Sequence, residues 1–520
     1  MIQLINMKWL PCLDQVLKKY LLVLACLLFS TVFSTVGYAQ QWQVGMSSNG
    51  TLITASGYQV DTAPRPTVVL IGGLDGNPES SQKVLAEYSR YQSRPKAEQP
   101  FNLIVIPAAN PQAEQLQFPP VGRAYADNPV SFSLWRWLGT HGPDLVLIES
   151  DNDFELADAL SNSVVAGVGY VPALHLYDEP EELGKIMDEL DNLPISPAHE
   201  ILDQRLMRSP REFAELLARH YAHDFSWPVY IPGMALIARM RLGYLDDVGD
   251  VIAPYLNGTD IDINSSLVTA GHLVFAEMAE RTGNSDFLDL AIDAADMGFD
   301  ANGEMLEAMP MHGEMSDAYF MATPLLVKVG KLTGEQKYFD LALRHIHFME
   351  NLVLRDDGLY RHSPLTDAAW GRGNAFPALG MALALSDFPQ DQAGFAELLS
   401  IYQSHIKALV PYQDLDGMWH EVIDYPGSFA EISATAMIAT AIRRGISRGW
   451  LDESYQPVVN KAWHAVQMRS SSEGFFVNVC ESTNKQGSVE AYLNREALLG
   501  PDDRAGGMLM LFATEMAELP

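Results

Sequence analysis

One carboxylate in this sequence lies among apolar residues at the start of a helical pattern. The stretch from Met315 to Met321 reads Met-Ser-Asp-Ala-Tyr-Phe-Met, and Asp317 comes directly before the apolar run. A carboxyl group with apolar neighbours keeps its proton to higher pH, because burial removes the solvation of the charged form. Asp317 is therefore a candidate proton donor. Its alternative role is to cap the helix that follows, since Ser and Asp are both preferred at that position.

Other residues able to do chemistry follow a recurring glycine turn. They come after Asn257-Gly258, Asp357-Gly358 and Asp416-Gly417, and they are Asp262, His362, Trp370, Arg372, Asn374, Trp419 and His420. Flat rings stack on sugar faces, carboxylates do acid-base work, and an arginine holds a carboxylate. Together these residue types indicate a site for an acidic carbohydrate.

Each candidate also has a simpler role. The alternatives are a helix cap for Asp262, hydrogen-bonded turn residues for His362 and His420, core packing for Trp370, and a surface ion pair for Arg372. Glu431 is expected to fix a loop or helix start rather than to react. The functional interpretation therefore depends on whether the fold brings these residues together.

The glycine turns recur along the second part of the chain. One series is Gly258, Gly303, Gly358, Gly417 and Gly474, with separations of 45, 55, 59 and 57 residues. A second series, at Gly283, Gly334 and Gly449, alternates with it. Repeats of about 50 residues with helical periodicity predict helical hairpins. About six of them fit into residues 201–520, which predicts an all-α (α/α)6 barrel with the candidate residues at one mouth. The alternative is an open helical solenoid.

The first part, residues 40–200, has a different pattern. A hairpin is expected around Asn49-Gly50, and three buried runs, at residues 67–71, 102–106 and 144–148, are bounded by Gly, Pro or Asn. Helical stretches lie between them, which predicts an α/β sheet domain. The loops after these runs resemble a metallocarboxypeptidase core. The zinc-ligand positions, however, carry Asp75, Pro78 or Glu79, and Glu149-Ser150, so we expect a metal-free, non-catalytic domain. The sequence alone does not identify a partner for His141 or His175.

Composition and the amino-terminal residues indicate which partners and which cellular location to expect. The chain has 66 acidic and 34 basic residues and a net charge of -32, which disfavours nucleic acid and anionic membrane as partners. Residues 1–39 carry three lysines, then an apolar run ending in Gly-Tyr-Ala39, the pattern of a signal peptide cut near Ala39. We therefore expect an exported protein, periplasmic or secreted, that is free of the membrane after cleavage. Only Cys480 would remain.

Several motifs resemble one enzyme family. From about residue 226 onward the chain is similar to the unsaturated uronyl hydrolases of glycoside hydrolase families 88 and 105, most like the rhamnogalacturonyl branch. The motifs are Met315 to Met321 followed by Pro-Leu-Leu-Val-Lys, Trp370-Gly-Arg-Gly-Asn374, Gln413-Asp-Leu-Asp-Gly-Met-Trp419 and Glu431-Ile-Ser-Ala-Thr-Ala-Met437. The chain departs from the family pattern at Phe376, where Trp is usual, and at Ile432, where Thr is usual. Both departures affect the fine shape of the pocket.

The resemblance implies an activity and a set of roles. Asp317 would be the catalytic acid and Asp262 its carboxylate partner, while His362, Trp370 and Arg372 would line the site for the uronate. The implied substrate is an acidic oligosaccharide whose non-reducing end is a 4,5-unsaturated uronic acid, removed by hydration of its vinyl ether without a cofactor. The alternatives are a hydrolase of saturated β-glucuronides and a non-catalytic glycan-binding protein.

Overall fold

Six strands form one mixed sheet in the first part of the chain. The computed structural model describes residues 40–57, 65–176 and 182–519. The strands are β1 Gln40–Met46, β2 Leu52–Gly57, β3 Thr67–Gly72, β4 Asn102–Ile106, β5 Leu145–Glu149 and β6 Ala173–Leu176. Their order is β1-β2-β4-β3-β5-β6, with β2 antiparallel to β4 and with β4, β3, β5 and β6 mutually parallel. The three predicted buried strands and the hairpin at Asn49-Gly50 are confirmed.

Helices cover both faces of this sheet. They are α1 Pro78–Gln92, α2 Pro129–His141, α3 Leu156–Asn162, α4 Glu182–Glu189 and α5 Pro197–Leu206. Alternate residues of a strand point to opposite faces. Val68 and Leu70 accordingly pack into an apolar cluster with α1 and α4, whereas Val69 and Ile71 pack into a second cluster with α2, α3 and α5. The predicted α/β sheet domain is thus present. The predicted signal peptide lies outside the described residues, so the expected export stays a prediction.

The second part of the chain is almost entirely helical. Its helices are α6 Pro210–Ala218, α7 Tyr230–Leu242, α8 Leu245–Leu256, α9 Ser266–Gly271, α10 Leu273–Thr282, α11 Ser285–Asp296, α12 Ala318–Thr333, α13 Gln336–Val353, α14 Gly371–Asp387, α15 Phe395–Leu409, α16 Ile432–Ser447, α17 Gln456–Met468, α18 Val489–Leu493 and α19 Asp503–Met516. Four short strands lie between them: β7 Trp419–His420, β8 Ala430–Glu431, β9 Phe476–Cys480 and β10 Ala497–Gly500. In the part of the chain that the structure describes, no helix has the length and apolar character needed to cross a bilayer.

These helices close into a ring. The inner members are α7, α9 with α10, α12, α14, α16 and α19; each contacts the next, and α19 contacts α7. The outer members are α6, α8, α11, α13, α15 and α17. The (α/α)6 barrel is therefore confirmed, and the open solenoid is wrong because the first and last inner helices pack together. The described residues from 41 onward form one compact unit, so the domain boundary near residue 200 stays a prediction.

The two series of glycine turns lie at opposite ends of the barrel. Glycines of the first series connect an outer helix to the next inner one, and their φ angles lie between +74° and +101°, a region that favours glycine. Glycines of the second series connect an inner helix to its outer partner. The inner helices therefore all begin at the end that carries the first series, which we call the mouth.

The sheet domain docks on turns at the mouth. The Asp416 carboxylate lies 3.2 Å from His141 Nε2 and 3.1 Å from the Arg469 guanidinium. Arg136, buried in α2, donates to Asn478 Oδ1 at 2.6 Å. His141 thus has a partner that its own surroundings in the sequence did not reveal, because that partner comes from the barrel.

Charged side chains of alternating sign meet at the end of the barrel opposite the mouth. Each inner helix contributes at least one, and six of them are, in ring order, Arg241, Glu277, Lys328, Asp387, Arg444 and Glu515. Lys328 lies 3.0 Å from Glu277 and 2.8 Å from Asp387, and Glu515 lies 3.0 Å from Arg241 and 2.6 Å from Arg444. We call this set the charge ring. Buried ions are tolerated when they are paired, so the ring is stable only when all six helices are in place.

Replacing Glu515 with Gln is expected to destabilise the barrel. Burial alone would raise the pKa of Glu515, but pairing with Arg444 and Arg241 lowers it from 4.5 to about 2. The substitution leaves two buried guanidinium groups underpaired, at a cost on the order of 3–5 kcal/mol. Because the native pKa is depressed, the contribution of Glu515 is full above pH 4.5 and is lost as pH falls towards 2.

Thermal unfolding of wild type and Glu515→Gln across this acidic range measures both effects. The exposed Glu453→Gln variant is the matched control, since it removes the same charge without a buried partner. Equal midpoints for Glu515→Gln and the control would contradict a stabilising charge ring.

Candidate active site

Asp317 and His362 form the centre of the candidate site. Asp317 is the N-cap residue of α12 and is buried, but its carboxylate makes no capping hydrogen bond. Its Oδ1 lies 3.2 Å from His362 Nε2, and neither atom has a hydrogen-bond partner. The side chain of Asp317 therefore does not cap the helix that follows. Ser316 N donates to the His362 carbonyl at 2.9 Å, which holds the two segments together.

The orientation of His362 follows from a tyrosine that the sequence analysis did not identify. His362 Nδ1 lies 2.7 Å from Tyr492 Oη, which already accepts a hydrogen bond from Gln486 N at 3.0 Å. When the hydroxyl donates its proton to Nδ1, the neutral ring carries its hydrogen on Nε2. That hydrogen then faces the Asp317 carboxylate. The indole of Trp370 lies 4.4 Å from the imidazole, between ring centroids.

Two guanidinium groups lie against Trp370. Arg372 is 4.9 Å and Arg495 is 4.7 Å from the indole centroid, within the range of cation–π attraction. Both arginines also donate to the Ser482 carbonyl, at 2.7 and 3.2 Å. Arg372 is buried and lies 3.7 Å from Glu431, so the alternative of a surface ion pair is wrong. Arg372 Nε is buried and has no hydrogen-bond partner.

A buried carboxyl group lies next to this aromatic-cationic cluster. Glu421 Oε1 accepts from Trp370 Nε1 at 2.9 Å and from the Cys480 thiol at 3.2 Å. Burial, opposed by Arg495, raises the pKa of Glu421 to about 8, and burial raises the pKa of the Cys480 thiol to about 12. Glu421 therefore keeps its proton at neutral pH. Its Oε2 has no partner.

Buried polar atoms without partners are concentrated around this centre. Buried polar groups in proteins are nearly always hydrogen-bonded, so such a group needs an explanation. The unpaired atoms here are Tyr230 Oη, Ser316 Oγ, Asp317 Oδ1, His362 Nε2, Arg372 Nε, Glu421 Oε2 and Arg495 Nε. Donors and acceptors held ready beside a candidate acid are the arrangement that a polar ligand would satisfy.

The helix directions add a favourable field. Tyr230, Asp317, Arg372 and Glu431 all lie at the amino-terminal ends of inner helices. Helix amino termini carry partial positive charge and stabilise anions. Glu431 uses that field itself, because its carboxylate accepts from Ser433 N and Ala434 N as the helix cap. The expectation that Glu431 fixes a helix start is confirmed.

Four of the predicted site residues lie apart from this centre. Asp262 is exposed on the turn after α8, where it accepts from Asn264 Nδ2 at 2.8 Å. Asn374 exchanges hydrogen bonds with Tyr360 N and O, at 2.8 Å each, and thereby fixes the preceding loop. Trp419 is buried and donates to the Leu409 carbonyl. These contacts are structural, and the predicted binding roles remain untested.

His420 also points away from Asp317. Its ring nitrogens contact Ser428 O at 2.6 Å and Asp414 at 3.1 Å, on the side where the sheet domain docks. Side chains alternate along extended backbone, so Glu421 faces the opposite way. Residue spacing in the sequence did not identify Cys480, Tyr492 or Arg495. It placed Glu421 at the mouth only as a member of the Trp-His-Glu run at residues 419–421, without a role of its own.

The zinc-ligand positions of the sheet domain are occupied by other interactions. Asp75 accepts from Asn77 N and Asp151 N, at 2.9 and 3.2 Å. Glu149 forms an ion pair with Lys83 at 3.0 Å. In the part of the chain that the structure describes, no three His, Cys, Asp or Glu side chains are placed to hold a metal ion. Whether this domain is catalytic stays a prediction.

Replacing Glu421 with Gln is expected to change how stability depends on pH. The folded state holds the Glu421 proton up to about pH 8, whereas an unfolded chain releases it near 4.5, so rising pH destabilises the wild type across that window. Gln is neutral at every pH and keeps an acceptor for Trp370. The free energy of unfolding of Glu421→Gln should therefore rise relative to that of wild type as pH increases across this window, by up to about 1.4 kcal/mol per pH unit. Its thermal midpoint should rise accordingly.

Thermal unfolding from acid to mild alkali measures this difference, with Glu453→Gln again as the exposed control. Parallel pH profiles for wild type and Glu421→Gln would show that Glu421 is ionised in the folded protein.

The helical part of the chain is similar to a known protein family. The model of Glycosyl Hydrolase Family 88 matches residues 244–519. The unsaturated rhamnogalacturonyl hydrolase YesR of Bacillus subtilis is 31% identical over 186 residues, which are 34% of this chain and 52% of that protein. An unsaturated 3S-rhamnoglycuronyl hydrolase of Formosa agariphila is 29% identical over 171 residues, which are 29% of this chain and 45% of that protein. The chain spans about half the length of these curated relatives.

Solved structures agree on the fold. A possible member of the GH105 family from Klebsiella pneumoniae superposes with a TM-score of 0.52 at 20% identity, covering 59% of this chain and 93% of that one. A glycosyl hydrolase family 88 protein from Bacteroides vulgatus gives 0.51 at 15% identity, covering 60% and 100%. At such identities the likeness concerns the fold alone. The family model, however, covers more than half of the sequence, so the chain belongs to Glycosyl Hydrolase Family 88.

Proposed function

We propose that this protein is an exported glycoside hydrolase that removes a 4,5-unsaturated uronic acid from the non-reducing end of oligosaccharides left by a polysaccharide lyase. Membership of the family supports the proposal, as do two relatives, an unsaturated rhamnogalacturonyl hydrolase and an unsaturated 3S-rhamnoglycuronyl hydrolase. The signal-peptide pattern of residues 1–39 supports export.

The observation that carries the proposal is the pair Asp317 and His362. An acid must reach the atom that it protonates, and an unsatisfied, buried carboxylate oxygen at the mouth of the barrel meets that need. His362 Nε2 lies 3.2 Å from that oxygen, so the imidazole is placed directly beside the carboxyl group. The unpaired Nε of Arg372 supplies a donor for the carboxylate of the uronate.

The reaction that fits this arrangement is hydration of the vinyl ether. Asp317 donates its proton to C4 of the unsaturated ring, and positive charge develops at C5 and the ring oxygen. The Asp317 carboxylate then takes a proton from water as the water oxygen bonds to C5. The resulting hemiketal opens and releases the remaining sugar. General acid catalysis of this kind contributes about 10² to 10⁴-fold.

Asp262 keeps its proposed role as the second carboxylate. It is exposed on the turn between α8 and α9, at the mouth end of the barrel. The sheet domain is proposed to be non-catalytic and to form part of the wall beside the mouth. Its docking through Arg136 and His141 supports that role.

Replacing Asp317 with Asn is expected to abolish turnover without unfolding the protein. The amide retains the shape of the side chain and cannot donate the required proton. The measurement is the loss of double-bond ultraviolet absorbance when lyase-generated unsaturated oligosaccharides are incubated with the mature protein. The rate should fall by at least about 10²-fold relative to wild type.

The matched control is Asp250→Asn, an exposed position on the outer helix α8, which should keep wild-type activity. Full activity of Asp317→Asn would remove Asp317 from the mechanism. If wild type leaves the absorbance unchanged with pectin, ulvan and glycosaminoglycan digests, the unsaturated substrate is wrong. Saturated β-glucuronides, or binding without turnover, would then be the functions to test.

A further inference from the structure

A separate cleft opens at the mouth between the first and last inner helices. It has a volume of about 450 Å³ and is walled by residues 220–227, before α7, and by Asp502 to Arg504, at the start of α19. The indole of Trp227 is 59% exposed at this cleft. Residues 220–227 precede the part of the chain that the family model matches. An exposed aromatic ring beside a polar cleft is suited to stacking on one face of a sugar.

The walls of the cleft are held rigidly. Tyr221 donates to the Gly474 carbonyl at 2.6 Å, and its ring packs so closely on Gly506 that a Cβ there would lie 2.6 Å from it. Ala222 has a φ of +68°, a strained conformation for a residue other than glycine. Such strain is found where the surrounding structure fixes a functional segment. Trp227 is therefore presented by a preformed wall rather than by a loose loop.

The cleft adjoins the candidate active site. Arg504 donates to the Glu481 carbonyl at 2.6 Å, and Arg372 donates to the next carbonyl, that of Ser482, at 2.7 Å. Tyr230, whose hydroxyl is one of the unpaired atoms of the candidate site, begins α7 directly before Ile231 and Pro232 of the cleft lining. A sugar linked to a uronate at Arg372 is thus led towards this cleft.

The charge of the cleft excludes one class of sugar. Asp502 forms an ion pair with Arg504 at 2.7 Å. Arg504 is the one arginine among the lining residues of the cleft. Asp224 accepts from Ser226 at 2.9 and 2.7 Å, and no ion pair joins Asp224 or Asp503 to a described residue. The lining thus brings three carboxylates against one guanidinium, with His220 and His223 as its other ionisable side chains besides Tyr221. We expect this excess of carboxylates to repel a sulfate or carboxylate placed there.

We propose that this cleft binds the sugar next to the uronate and selects an uncharged ring over one that carries sulfate or carboxylate. The inference rests on the proposed function for the position of the uronate. Trp227 supplies the stacking surface, and Asp224 with Asp503 supplies the discrimination against anions.

Binding and turnover test the two ideas separately. The probes are two pairs of disaccharides, each made of a uronate and a deoxyhexose. One pair has a saturated uronate and the other an unsaturated one, and within each pair one member carries a sulfate on the deoxyhexose. The saturated pair is used for calorimetric binding, and the unsaturated pair for double-bond absorbance. The unsulfated compounds should bind and react about five- to tenfold better. Asp224→Asn with Asp503→Asn should bring the two members of each pair close to equality.

Replacing Trp227 with Ala should raise KM for the disaccharide with little change in kcat. An unsaturated uronide with only a methyl group as its second part should be unaffected. Tyr170→Ala, an exposed aromatic in the sheet domain, is the matched control. Equal or better use of the sulfated compound, or equal losses on both substrates, would overturn the inference. If binding depends on Trp227 but no turnover occurs, the cleft is a binding site and the proposed reaction is wrong. If turnover occurs and does not depend on Trp227, the proposed reaction is supported and the inferred role of the cleft is wrong.

Discussion

The barrel depends on the pairing of six charges at the end opposite its mouth. Each inner helix brings one charged side chain into a partly dehydrated space, where an unpaired ion is costly. Because positive and negative members alternate around the ring, every helix has oppositely charged neighbours. The other end, where all the helices begin, carries the partial positive charge of helix amino termini and is suited to an anionic ligand.

The candidate site lies at this end of the barrel. Its acid, its histidine and its two arginines lie near helix starts or on the turns that lead into them, where the helix amino termini supply a potential that stabilises anions. Trp370 organises the centre, since His362, Arg372, Arg495 and Glu421 all contact its indole. The buried carboxyl of Glu421 stays neutral beside two cations. A single rigid ring therefore sets the positions of groups that are far apart in the sequence.

Much of the fold was predictable because the signals are periodic. Glycines recurring in two alternating series predicted helical hairpins, and continuous apolar runs predicted the central strands. Strand β6 was missed, since Leu174 is exposed and the stretch is short. Closure of the ring could be inferred only from the placement of functional residues after the turns, because no local pattern records which helices meet.

The site was predictable only in part. Asp317, His362, Trp370 and Arg372 lie in motifs with a recognisable pattern, and the fold brings them together. Glu421, Cys480, Tyr492 and Arg495 come from separate turns, so their meeting depends on tertiary structure. Asn374, Trp419 and His420 lie in the same motifs but hold loops and helices in place. A motif identifies a segment, whereas the direction of each side chain depends on backbone geometry.

The contact between α7 and α19 joins two helices separated by nearly the length of the barrel in sequence. Contacts between distant segments form slowly because a long loop must close first, so we expect this contact to form late in folding. During synthesis the residues of the sheet domain and of the earlier hairpins emerge before those of α19. Until α19 docks, Arg241 and Arg444 lack Glu515 and stay hydrated. The unfinished barrel thus keeps a charged, water-bound seam, which protects it from joining to another unfinished copy.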